Sequence, residues 1–83
     1  MHKEKNGIIV YENLRELLST EILFVTEYEG FYYIKLKPYC DCDNSIWKVD
    51  KQTGKASYMM YTEYLRFADK AKEIDPATLR RGA

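Results

Sequence analysis

The 83 residues leave room for one domain around one modest core, marginal enough that self-association would be a natural supplement to stability. Thirteen basic and thirteen acidic side chains cancel, which argues against a bulk electrostatic binder of nucleic acid or membrane and leaves only a local patch open. No hydrophobic run approaches transmembrane length, the N-terminus has no signal-peptide core, and Cys40 and Cys42 lie too close together to build a disulfide framework, so a cytoplasmic location without membrane association is expected.

The charge is uneven along the chain. Residues 1–30 carry Lys3, Lys5 and Arg15 against Glu4, Glu12, Glu16, Glu21, Glu27 and Glu29. The two halves facing each other in the fold is the reading we favour over a polarity that faces a partner. Tyrosine is over-used, with eight copies. Its ring suits half-buried strands and protein interfaces alike, because it joins a large apolar body to a polar tip.

In chain order, residues 1–6 are polar and expected to be a flexible lead-in to a single domain over 7–75. Gly7-Ile8-Ile9-Val10-Tyr11 is β-branched and short, a strand or an extended entry. The period then changes: Leu14, Leu17 and Leu18 fall at i, i+3, i+4, with Asn13 as N-cap and Glu16 to complete a capping box. A short helix over about 13–20 follows. Residues 21–37 read as a β-hairpin turning at Glu29-Gly30. In its second strand Tyr32, Ile34 and Leu36 point one way and Tyr33, Lys35 and Lys37 the other. Pro38 ends that strand, and 38–44 is a loop.

Residues 45–60 form the most strongly specified element. Asp50 is placed to turn its carboxylate onto loop amides, and Gly54 to take the positive φ that closes a four-residue connection. Val49 then faces Ala56, Trp47 faces Tyr58 and Ser45 faces Met60, with Trp47, Val49, Ala56, Tyr58 and Met60 on one face. Thr62 next caps a helix up to Ile74 whose apolar arc is Tyr64, Leu65, Phe67, Ala68, Ala71 and Ile74. Asp75-Pro76 restarts the chain in a tail, 76–83, with one further helical turn. The whole reads as an α+β domain: a mainly antiparallel sheet of four to five strands with an N-terminal and a C-terminal helix on one face, the arc of 64–74 covering the Trp47/Tyr58 side. The expected core is Leu14, Leu17, Leu18, Leu23, Val25, Ile34, Leu36, Trp47, Val49, Tyr58, Leu65 and Ala68.

Chemistry is sparse. Cys40-Asp41-Cys42 offers two thiolates where a structural zinc needs four ligands, and the one histidine, His2, sits in the lead-in, so no metal or other cofactor is expected. Asp41, Asp43 and Ser45 alternate like the start of a calcium loop, but Ile46 and Gln52 stand where it needs Gly and an acid. No nucleophile–base pair and no phosphate-binding glycine loop stands out, and the reading is not an enzyme.

Lys35, Lys37 and Tyr33 share a strand face, with Lys48 and Lys55 on the matching side of the next hairpin. Such a face would suit single-stranded nucleic acid, rings on bases and ammonium groups on phosphates. An ordinary solvated sheet face with lysines guarding its edges is the blander reading, and the one favoured. The hairpin Val49-Asp50-Lys51-Gln52-Thr53-Gly54-Lys55 resembles one found in small bacterial and phage-borne α+β proteins, toxin-immunity proteins among them. The resemblance spans 45–60 and implies a compact stoichiometric binder, an inhibitor or immunity protein. The expected function is therefore protein binding, to another protein or to a second copy, through Phe31, Tyr32, Tyr33, Lys35, Lys37, Tyr39 and Tyr61. Single-stranded nucleic acid is the alternative partner.

Overall fold

The structure, a computed structural model, describes residues 2–5, 8–38 and 44–82. His2–Lys5 (β1) and Ile8–Tyr11 (β2) pair antiparallel as a two-stranded ribbon, so part of the expected flexible lead-in is a strand. Helix α1, Leu14–Leu17, is a single turn. Asn13 Oδ1 accepts the Glu16 N–H at 2.9 Å, as the capping reading requires, and the Glu16 carboxylate accepts the N–H of Glu12 at 3.0 Å. The helix stops early because hydroxyls take over its last carbonyls. Ser19 Oγ donates to Glu16 O at 2.6 Å and Thr20 Oγ1 to Leu17 O at 2.7 Å.

Ile22–Tyr28 (β3) and Phe31–Leu36 (β4) form the second hairpin, turning at Glu29 (φ 49°) and Gly30 (φ 85°). Two successive left-handed residues match the twist of the flanking strands. The register slips once: Ile22 faces Leu36, yet Phe24 faces Lys35. The extra residue, Leu23, is pushed outward and is 58% exposed, while Ile22 and Phe24 join cores on opposite faces.

Ser45–Asp50 (β5) and Ala56–Met60 (β6) pair in the expected register, Val49 with Ala56, Trp47 with Tyr58 and Ser45 with Met60. The loop chemistry is also as read. Asp50 Oδ1 accepts the N–H groups of Gln52 and Thr53 at 2.7 and 3.2 Å, and Gly54 takes φ 75°. The Gly54 carbonyl then receives the Leu14 N–H, fastening the hairpin loop to the start of α1.

The C-terminal third departs from expectation. In place of one helix to Ile74 there are a turn of helix, Tyr61–Tyr64 (α2), a 3₁₀ turn, Ala68–Lys70, and a strand, Lys72–Ile74 (β7). Met60 precedes α2 without a side-chain cap, so Thr62 does not start the helix. Topology supplies the reason. The sheet runs β6-β5-β4-β3-β7, all antiparallel, so residues 61–71 must travel from one edge to the other. Four interstrand spacings are ~19 Å. Eleven residues of straight helix advance ~16 Å and remain above the sheet. Alternating helical turns with extended chain covers the distance and returns to the sheet edge.

That crossing also decides which face is covered by what. On the face of Val25, Ile34, Trp47 and Val49 lie Tyr11, Leu17, Leu18 and the partly buried Leu79 of Pro76–Gly82 (α3). Arg80 Nε donates to Leu18 O at 3.1 Å and holds α3 against the end of α1. The crossing segment covers the opposite face, with Tyr33, Ile46 and Tyr64 at its centre. Helical structure therefore lies on both faces, and the 64–74 stretch does not cover the Trp47 side. Trp47 is met instead by Tyr11, edge-on at 4.9 Å. Leu23, Tyr58 and Leu65, expected in the core, are 48–58% exposed, whereas Tyr11, Tyr33, Ile46 and Tyr64 are buried.

The two large apolar residues that this separates make the test. Trp47, 7% exposed, should cost ~3–5 kcal/mol when truncated to alanine. Leu23→Ala at the outward bulge should cost no more than ~0.5 kcal/mol. Urea unfolding of both variants checks the pair, and equal losses would contradict the bulge.

Candidate functional site

Alternation along three strands builds one aromatic face. Strand β4 contributes Phe31, Tyr33 and Lys35, β3 contributes Phe24, Thr26 and Tyr28, and β5 contributes Ile46 and Lys48. The crossing segment lays Tyr61, Tyr64, Phe67 and Ala68 over them. Tyr64 is the centrepiece: its ring lies 5.5 Å from both Tyr33 and Phe67 and 6.3 Å from Phe24. Its hydroxyl and that of Thr26 are 2.9 Å apart and buried, which settles two polar groups that would otherwise be costly there. Toward the β3–β4 turn, Tyr28 stacks on Phe67 at 4.7 Å with ring planes 13° apart.

At the margins of this layer the rings meet cations. Lys48 Nζ sits 4.2 Å from the Phe31 centroid. Lys35 Nζ donates to Ser45 O at 2.6 Å and lies 5.5 Å from the Tyr61 ring, which in turn stacks against Tyr64. Phe31, Lys35, Lys48 and Tyr61 are all half-buried. The result is a closed aromatic centre with a half-open rim in which each ammonium group is seated on a ring.

The expected binding residues are thus partly assembled. Phe31, Tyr33, Lys35 and Tyr61 come together on this face, with Tyr33 at 4% exposure in its interior rather than on its surface. Tyr32 points to the other face, where Lys51 Nζ lies 5.4 Å from its ring and also pairs with Glu27. Lys37 lies past the end of β4 and meets Glu21 at 3.5 Å, both side chains exposed. Such a pair contributes little. Tyr39, Cys40 and Cys42 lie outside the described residues. The face read as an open, solvated sheet surface is instead covered at its centre. Tyr28, Tyr64 and Phe67 belong to it without having been expected there. The alternation of Phe24, Thr26 and Tyr28 was the available signal, since a strand apolar on both sides needs cover on both.

Among the described residues no three metal-ligating side chains converge, and no helix is long and apolar enough to cross a membrane. An open depression lies where the hairpin loop meets α1, lined by Asn13, Leu14, Arg15 and Gly54. No family model, no curated protein and no solved structure matches the chain.

Burial in the aromatic layer, with Glu29 and the neighbouring Tyr28 and Tyr64 adding to it, pushes the Tyr33 hydroxyl above its ordinary value. The fold holds Tyr33 neutral, so the stability this contributes is complete below about pH 10, the unfolded value, and is lost as pH rises through the folded one. Tyr33→Phe keeps the ring without the proton. Its stability relative to the parent should be constant below about pH 9 and improve above about pH 10. Denaturant melts across that range check this, and parallel curves would contradict it.

Proposed function

We propose that this protein is a non-enzymatic, cytoplasmic binding module that engages another protein stoichiometrically through the half-open rim of its aromatic face, with Phe31, Lys48, Lys35 and Tyr61 at the centre of the contact. One observation carries the reading: Lys35 and Lys48 are seated on rings and a carbonyl instead of standing clear in solvent. An aromatic with a cation against it gives a protein interface a large, pre-ordered contact at little entropic cost. A nucleic-acid surface needs the opposite, ammonium groups free to replace counterions along a phosphate chain. The zero net charge leans the same way.

A finer role as an inhibitor or immunity protein of a bacterial or phage accessory genome rests on the hairpin at 45–60 alone. It accords with a small domain whose use is to cover a surface on its target.

Affinity capture from the native host, followed by mass spectrometry, tests the proposal. One protein should be recovered in stoichiometric amount, and Phe31→Ala should weaken its binding by ~2 kcal/mol or more with little dependence on salt. Anisotropy of a labelled single-stranded oligonucleotide supplies the contrary outcome. Binding at micromolar concentration in about 0.15 M salt, with a log–log slope of about −0.7 per phosphate contact, would replace this reading with the nucleic-acid one if removing the charges of Lys35 and Lys37 abolished it.

A further inference from the structure

The two edges of the five-stranded sheet are guarded unequally. Strand β7 is three residues long and carries exposed Lys72 and Glu73, which suits an edge kept from pairing. Strand β6 is five residues, Ala56-Ser57-Tyr58-Met59-Met60, with no charge from Ala56 through Thr62. Tyr58 and Met60 are 48% and 52% exposed. Among the described residues no second strand pairs with its outer side. Asp50 N–H donates to Lys55 O at 3.1 Å and Tyr61 N–H to Asn44 O at 3.0 Å, and the register between them is unbroken. An antiparallel ladder alternates, so Ser57 and Met59 bond to β5 while Ala56, Tyr58 and Met60 aim their N–H and C=O groups away from the sheet. Among the described residues β6 pairs with β5 alone, with Ile8–Tyr11 (β2) approaching it without joining the sheet.

We propose that β6 is the docking edge for a second copy of this chain, the two β6 strands pairing antiparallel about a twofold axis at Tyr58 to make one continuous ten-stranded sheet. The strand is self-complementary in that arrangement. Tyr58 meets its counterpart, and Ala56 meets Met60, small against large. Every outward-facing residue of one copy is thereby matched to an outward-facing residue of the other. Charge selects the orientation: Lys55 precedes the strand and Glu63 follows it, so antiparallel pairing brings the basic end of one copy to the acidic end of the other. Parallel pairing would bring like ends together. With no charge inside the strand and no net charge on the protein, two copies meet without repulsion. A closed twofold contact of this kind also consumes the edge and stops further growth. The edge adjoins the rim where Tyr61 follows Met60 and where Lys48 pairs with Ser57, but the inference rests on the β6 backbone and not on the proposed function.

Sedimentation equilibrium over a concentration series tests it, together with hydrogen exchange. The full chain should move from one to two copies of its 9.9 kDa mass, and the amides of Ala56, Tyr58 and Met60 should become protected in step with the dimer. Met60→Lys, at an exposed site, should raise the dissociation constant at least tenfold while leaving the circular dichroism of the monomer unchanged. Should Met60→Lys fail to fold, the exchange measurement on the parent chain decides the matter. A monomer at all concentrations up to about 1 mM would overturn the proposal. So would a dimer in which those three amides exchange freely, or one that a folded Met60→Lys variant leaves intact.

Discussion

Strands β4 and β5 lie in the middle of a five-stranded sheet, so the side chains on both of their faces need cover. Ile34 and Val49 are fully buried on one side and Ile46 on the other, and Val25 of β3 joins the first group. A chain of this length cannot place a long helix on each face. The cover is divided between distant segments instead. The N-terminal ribbon, α1 and α3 take the Trp47 side, and residues 61–71 take the other as they cross to β7.

The second cover is thin, and its chemistry follows from that. A crossing made of single turns brings few side chains to the sheet, so each must be large. Tyr61, Tyr64 and Phe67 serve, and rings facing them from β3 and β4 complete the layer. The Thr26–Tyr64 hydrogen bond anchors the middle. At the rim, where the layer is only half-buried, Lys35 and Lys48 set their ammonium groups against the Tyr61 and Phe31 rings. The half-open rim proposed as the binding site is thus the place where cover from the described residues is thinnest.

Much of the sheet was legible in the sequence because turns impose their own chemistry. Asp50 and Gly54 determined one register, and Glu29-Gly30 located the other hairpin. The Asn6-Gly7 pair between β1 and β2 is a hairpin signal of the same kind, and polarity around it obscured the ribbon. The crossing was not legible. Tyr64, Leu65, Phe67, Ala68, Ala71 and Ile74 satisfy a helical period, yet Leu65 is exposed and Ile74 is in a strand, because the distance to the far edge overrides local periodicity. Leu23 shows the same limit on a smaller scale, since a bulge breaks the alternation from which burial was inferred. The burial of Tyr33 was not legible for a related reason. Tyrosine and lysine read as surface, while a tyrosine ring with its hydroxyl accommodated is also core.

Both the fold and the proposed site depend on where the crossing segment lies. Nuclear Overhauser contacts from the Tyr64 ring test that placement most directly. Strong cross-peaks to Thr26, Tyr33 and Phe67 are predicted, and none to Trp47. Cross-peaks from Tyr64 to Trp47 or Val49 would put the segment on the other face and contradict it.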